Sequence, residues 1–383
     1  MRNKDEIRLQ RVVAFFCATI FSIFTFFFVA KYQAPLLELL YDKVATGKLQ
    51  YNAYAVGAIA TIVLMFLAIW LNRYSGFRRE WTALSYLPSM LLLAFSTDID
   101  RSLYVGEYDY TKWLIVFAVG AFTYASFSFV LHRILFAKIK NVAMSANRII
   151  WKNLVLFVIM FCMVGALSNG EENFKREALV ASYCKKGDWD KALEVGYMSD
   201  AVSPSLAAQR AYVLARNGLL GEKLFEYPQP YGSKGLLPGI TQVSPLVPDS
   251  VFMLIGAVPA EGESNTLFLE RVAKETESTD AAKEYYLSAH LLDRNIVGFA
   301  ESVRHFYPDM DILTLPKHYR EALLLYSSIS GDESFASGDW EMRELFDAFK
   351  TVEAEYEDPF VRGNYIRRSF GRTYWWYFLY GNM

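Results

Sequence analysis

The sequence predicts an all-helical protein in two parts: a bundle of about five membrane-spanning helices over residues 1–168, then a soluble helical domain over 169–383. Three observations predict this. Five long stretches of the first part carry no Asp, Glu, Lys, Arg or His. After Ser168 charge becomes evenly spread. No run of the second part alternates apolar and polar residues as a half-buried strand would, whereas apolar residues recur at helical spacing. The bulk composition agrees, with 53% hydrophobic and 16% aromatic residues and a mean hydropathy of +0.15.

The uncharged stretches are Val12–Ala30, Ala53–Leu71, Thr82–Thr97, Trp113–Leu131 and Asn153–Ser168. At about 1.5 Å per residue each covers most or all of a ~30 Å hydrocarbon core. A buried helix of a soluble protein would carry charge on at least one face. Thr82–Thr97 is the shortest class of span and contains Pro88, which predicts a kinked, tilted or partly inserted segment. Arg2, Lys4, Arg8 and Arg11 give the first span the basic start of a signal peptide. Its apolar core is too long for one, and Phe28-Val29-Ala30 makes a poor cleavage site, so it reads as an uncleaved span.

Short-loop basic residues set orientation. Arg2, Lys4, Arg8, Arg11, Arg73, Arg78, Arg79, Arg133, Lys138, Lys140, Arg148 and Lys152 fall on one side, twelve in all. Lys31, Lys43, Lys48, Arg101 and Lys112 fall on the other, five in all. This predicts a cytoplasmic N-terminus and, with five spans, a soluble domain on the far side. If Thr82–Thr97 does not cross, the soluble domain becomes cytoplasmic.

Within the first part, Leu36, Leu40 and Val44 recur every four residues, which suits a short helix in the first loop, lying in the interface or packed on the bundle. Ala53, Gly57 and Thr61, and Ala118, Ala121, Ala125 and Ser128, are small residues at helix-contact spacing. Packing inside one bundle is the ordinary reading of such stripes, and oligomerisation the sharper one.

In the second part the spacing predicts helices over 174–185, 189–198, 206–217, 267–276, 281–292, 297–307, 318–329 and 340–356. Residues 227–259 hold six of the twelve prolines and read as an irregular connector, with one short helix near 249–256 capped by Asp249 or Ser250.

Tyr183, Gly187-Asp188, Trp189, Ala192 and Pro204 form a set that resembles the centre of a tetratricopeptide repeat. The resemblance implies an aromatic ending one helix, a tight glycine turn, an aromatic opening the next helix, and a small residue where the two touch. Weaker units follow around Gly218, around Asn295 with Ala300, and over His318–Tyr326. Leu84–Ser89 with Thr97-Asp98, the run from Pro316 to Leu325, and Thr373–Phe378 resemble a group of uncharacterised membrane proteins of Bacteroidota bacteria. That resemblance implies a bacterial inner membrane, where the count of basic residues makes the second domain periplasmic, and it transfers no activity.

The net charge of −2 gives no reason to expect a nucleic-acid partner. Cys17, Cys162 and Cys184 are too few and too scattered for a disulfide framework. His132, His290, His305 and His318 have no second ligand at metal-binding spacing, and no phosphate loop or nucleophile motif is present, so neither metal nor cofactor is expected. No uncharged stretch holds the ionisable residue that ion-coupled transport usually needs. Asp98, Asp100 and Arg101, with Glu107 and Asp109, form an acidic loop, read first as solvated and second as a functional loop.

The tail Tyr374, Trp375, Trp376, Tyr377, Phe378, Leu379 and Tyr380 is too apolar to stay in water. It reads as a closing helix with Tyr374, Trp375 and Phe378 on one face, or as a segment docked on a membrane or a partner. Together these features favour a membrane-anchored interaction or scaffold protein whose partners are the lipid bilayer and a protein or peptide. A membrane enzyme acting on lipid or glycan is the alternative.

Overall fold

The computed structural model describes residues 2–45, 50–75, 77, 79–130, 146–168, 171–197, 202–239, 248–308, 311–335 and 338–381. His132, Arg133, Lys138, Lys140, Lys48, Arg78, Pro245 and the end of the predicted 189–198 helix lie outside these. Among the described residues there is no strand. The chain divides into two compact units, Met1–Lys175 and Arg176–Met383.

In the first unit α1 (Arg2–Phe27) runs into a π-helical turn over Phe28–Tyr32. There follow α2 (Ala34–Ala45), α3 (Ala53–Ser75), a 3₁₀ segment over Arg79–Tyr86 joined to α4 (Leu87–Ser96), α5 (Arg101–Val105), α6 (Thr111–Val130) and α7 (Ala146–Leu167). Among the described residues four helical segments are long and apolar enough to cross a membrane: Arg8–Tyr32, Ala53–Arg73, Thr111–Val130 and Ala146–Leu167. The fifth predicted stretch is instead a shorter apolar segment, Trp81–Ser96, made of two helix types that meet beside Pro88.

That broken segment is the best-buried part of the unit. Ala83, Ser85, Ser89, Met90, Leu93 and Ala94 are all buried, and the segment packs against α1, α3, α6 and α7. Irregular backbone at membrane depth is stable only where protein satisfies its polar groups. Asn153 of α7 does this: its Oδ1 accepts from the Ala83 amide at 2.7 Å, and its Nδ2 donates to the Ile149 carbonyl at 2.8 Å. Ser89 Oγ donates to the Leu64 carbonyl at 2.9 Å, tying α4 to α3.

The small-residue stripes divide. A Cβ on Gly57 would lie 2.9 Å from Ala30 Cβ and 3.2 Å from the Phe26 carbonyl, so that glycine is what lets α3 approach the end of α1 and its π-helical turn. Ala118, Ala121 and Ala125 of α6 are exposed instead, and Trp113 is the buried residue of that helix.

The second unit holds most of α8 (Glu172–Lys186), followed by α9 (Trp189–Glu194), α10 (Pro204–Arg216) and α11 (Leu220–Lys223). After the connector, whose described parts include α12 (Pro248–Ile255), come α13 (Asn265–Ala273), α14 (Asp280–Leu292), α15 (Ile296–Phe306), α16 (Lys317–Ser330), α17 (Trp340–Glu355), α18 (Pro359–Phe370) and α19 (Tyr374–Tyr380). From α13 onward each helix packs on the next, while α11 reaches both α14 and α16. Three departures from the expected helices have local causes. α9 stops at Glu194 because Gly196 turns at φ 64°. α12 starts at Pro248, one residue before the expected Asp249. α18 has no apolar stripe in the sequence, and Ile366 is its single buried residue.

Candidate functional site

Beyond α4 the chain turns through the acidic loop, where Asp98, Asp100 and Asp109 each have a local task. Asp100 caps α5, accepting from the Leu103 amide at 2.8 Å and from Ser102 Oγ at 2.7 Å. Asp109 accepts from the Thr111 amide at 2.9 Å at the start of α6. Asp98 is buried, contrary to a solvated loop. Its Oδ2 accepts from Tyr108 Oη at 2.6 Å, Trp113 Nε1 at 2.7 Å and Lys112 Nζ at 2.9 Å. Burying a carboxylate is costly unless donors replace water, and three do so here.

Lys112 also donates to the carbonyl of Leu167 at 3.1 Å, so the same cluster fastens the start of α6 to the end of α7. Arg101 pairs with Glu171 at 3.6 Å and stacks over Phe174 at 5.1 Å. Burial and the hydrogen bond to Asp98 push the Tyr108 phenol above its ordinary range.

These residues line a cavity of about 300 Å³ walled by Asp98, Asp100, Ser102, Tyr108, Lys112 and Glu171. It offers carboxylates, a phenol and an ammonium to a polar guest. Among the described residues no group of three or more His, Cys, Asp or Glu is arranged to hold a metal. Four of the five basic residues counted on the less basic side lie among the described residues and behave alike. Lys31 lies over Tyr54, Lys43 over Tyr104, Arg101 over Phe174 and Lys112 over Trp113. Lys43 also donates to the Tyr104 carbonyl.

In the second unit Gly187 adopts φ 72°, its amide donates to the Cys184 carbonyl at 3.1 Å, and the Asp188 amide donates to the Tyr183 carbonyl at 3.0 Å. This is the Schellman pattern that lets a helix end in one residue. Gly218 repeats it, with φ 65° and the Leu219 amide donating to the Leu214 carbonyl at 2.8 Å. The third copy ends α14, where the Asn295 backbone amide donates to the His290 carbonyl at 2.9 Å. There the left-handed residue is Arg294, at φ 58°, and Asn295 is the N-cap of α15, accepting from the Gly298 amide.

Ala192 and Ala300 are buried on the helices that follow two of these turns. Tyr183 and Trp189 are half-buried against the core, and Trp189 meets Tyr212 edge-on at 6.5 Å. Pro204 opens α10 behind the Ser203 cap. The turn motifs thus gather structural residues, and the acidic loop gathers polar chemistry.

The aromatic tail closes the second core. Tyr374, Trp375, Tyr377 and Tyr380 are buried, whereas Trp376 and Phe378 are only partly so. The inward face therefore continues through Tyr377 and Tyr380, not through Phe378. Trp375 packs at a tilt against Phe346 at 4.9 Å and Phe349 at 5.7 Å, and Phe225 meets Tyr374 at 5.1 Å and Tyr377 at 4.8 Å.

Beneath it lie two residues that motif reading passed over. Buried Glu321 accepts from the Tyr374 amide at 2.7 Å and pairs with His318 Nδ1 at 2.8 Å, and Trp375 Nε1 donates to the Glu321 carbonyl at 2.8 Å. Arg294 Nη2 donates to the Tyr377 carbonyl at 3.0 Å. His318 followed at i+3 by Glu321, on a helical run, was the one sequence signal for this pair. His290 is half-buried against Tyr286, and burial lowers its pKa, while His305 is exposed.

A family model described as a family of unknown function (DUF6057) matches residues 6–259 and 260–381. No curated protein and no solved structure matches the sequence.

Proposed function

We propose that this chain, which belongs to the family of unknown function DUF6057, is a membrane-anchored interaction protein. Its first unit holds it in a bacterial inner membrane, and its second unit, a tetratricopeptide-like stack of helical hairpins, holds a protein or peptide partner. The observation that carries this reading is the threefold use of one hairpin turn, at Gly187, Gly218 and Arg294. Repeated hairpins stacked side by side are an economical way to make an extended binding face.

The topology proposed with it has a cytoplasmic N-terminus, five spans counting the broken Trp81–Ser96 segment, and a periplasmic second unit. The twelve-to-five asymmetry of basic residues supports it. So does the engagement of Lys31, Lys43, Arg101 and Lys112 with aromatic rings, which compensates the basic residues left on the translocated side.

One observation favours a second reading. The cavity around Asp98 places carboxylates, Tyr108 and Lys112 together at the ends of α6 and α7. A membrane enzyme acting on lipid or glycan would use such a constellation. In-membrane photocrosslinking from exposed positions of the second unit, in the native host, separates the two. The interaction reading expects a discrete protein adduct that disappears when Ala192→Trp disrupts the hairpin. The enzyme reading takes its place if no adduct forms and Asp98→Asn alters a lipid or glycan pool.

A further inference from the structure

α18 is firmly built yet little used by the core. Asp358 caps it, accepting from the Phe360 amide at 2.8 Å and the Val361 amide at 3.1 Å, and Ile366 is its buried residue. The helical period puts Phe360, Val361, Asn364, Tyr365 and Arg368 on the arc opposite Ile366. All five are exposed, Phe360 to 75%. Tyr365 lies flat on Tyr356, with ring centroids 4.4 Å apart and planes 12° from parallel, and the Arg368 guanidinium sits 5.7 Å from the Tyr365 ring.

We propose that this outward face of α18 is a contact for the headgroup layer of a bilayer containing anionic phospholipid. The proposal rests on the membrane anchoring argued above. Two arguments select this occupant. The first is area. Three apolar side chains offer on the order of a few hundred Å², whereas a stable protein–protein interface buries about 800 Å² on each partner. The patch is too small to hold a free macromolecule. A tethered surface needs far less, because the tether supplies an effective concentration in roughly the millimolar range. The tether is short: Leu167 ends a membrane-length helix, and the second unit begins at Arg176.

The second argument is chemistry. Phenylalanine and tyrosine favour the interfacial zone, and guanidinium groups bind phosphate in a forked geometry. Arg367 and Arg372 sit over the Trp376 and Tyr197 rings, and the acidic Glu355, Glu357 and Asp358 precede the helix, which leaves Arg368 as the cation on the face itself. The attraction to anionic lipid therefore comes from Arg368, in the C-terminal half of α18.

The test uses the full chain in nanodiscs of mixed phosphatidylcholine and phosphatidylglycerol, in a Cys17→Ala, Cys162→Ala, Cys184→Ala background. An environment-sensitive fluorophore is placed at Asn364→Cys, at the exposed Glu261→Cys as a solvent reference, and at the exposed Phe66→Cys within α3 as a lipid reference. Shallow doxyl-labelled lipid is the quencher. The proposal expects quenching at 364 and 66 and none at 261, with the quenching at 364 lost in Phe360→Glu, Tyr365→Glu while that at 66 persists. Quenching at 66 with none at 364 overturns the contact and leaves the anchoring intact. A blue-shifted but unquenched label at 364 also overturns it, because the face is then covered by protein. No quenching at 66 removes the anchoring, and the contact with it.

Discussion

The backbone amide of Tyr374 donates to the buried carboxylate of Glu321 at 2.7 Å, across 53 residues of sequence. The same carboxylate holds His318, and the Glu321 carbonyl holds the indole of Trp375. One side chain of α16 therefore fixes the register of the last helix. Replacing it by Ala leaves a buried imidazole and a buried amide without their acceptor. Breaking a buried pair in this way costs about 3–5 kcal/mol. Glu321→Ala should lower the melting temperature of the detergent-solubilised chain and expose the tail to limited proteolysis. Unchanged protection of residues 373–381 would refute this anchoring.

Deleting residues 373–383 removes the same helix and uncovers Phe225, Phe346 and Phe349. Each large side chain returned to water forfeits about 1.5–3 kcal/mol. The truncated chain should aggregate or become protease-sensitive, as read by size-exclusion chromatography. A truncation that stays folded and monodisperse would show that the core closes without it.

Arg294 occupies a left-handed position that glycine fills in the two sister turns. The conformation costs a non-glycine residue roughly 1–2 kcal/mol, and the hydrogen bond to the Tyr377 carbonyl offsets part of that. Arg294→Ala loses the bond and keeps the strain, whereas Arg294→Gly loses both. The glycine variant should be the more stable of the two by about 0.5–1 kcal/mol in chemical denaturation. The reverse order would contradict the strained turn.

How much of this was visible in the sequence depends on range. The absence of charge marked all four membrane-length helices, because the solvent imposes that pattern residue by residue. Gly187, Trp189 and Ala192 were legible because a tight turn is a local problem with a local solution. Asp98 was not. Its burial comes from Tyr108, Trp113 and Lys112 folding back over it, and an acidic run in a loop looks the same whether solvated or enclosed. The partnership of Glu321 with Tyr374 joins positions too far apart for any spacing rule. α18 escaped notice because it buries almost nothing.

Burial raises the carboxyl of Glu284 from its ordinary 4.5 to about 7, and Asp280 adds to the effect. A raised carboxyl favours the folded state most below pH 4.5, and that contribution is lost as pH climbs through 7. The chain should lose on the order of 1 kcal/mol across that window from this group, after allowance for solvent screening. Glu284→Gln should flatten the dependence between pH 4.5 and 7. An identical pH profile in the variant would show that the group titrates normally.

Overpacking tests the hairpin. Ala192 is buried on the helix after the Gly187 turn, and Ala192→Trp should cost about 1–3 kcal/mol or more. A melting temperature equal to that of the parent chain would count against the hairpin contact.

The central claim is that the first unit spans a bilayer and delivers the second to the far side. Alkaline-phosphatase and fluorescent-protein fusions after Met383, compared in the same bacterial host, test it most directly. The account predicts an active phosphatase fusion and a dark fluorescent one. A fluorescent fusion with an inactive phosphatase would place the second unit in the cytoplasm and contradict it.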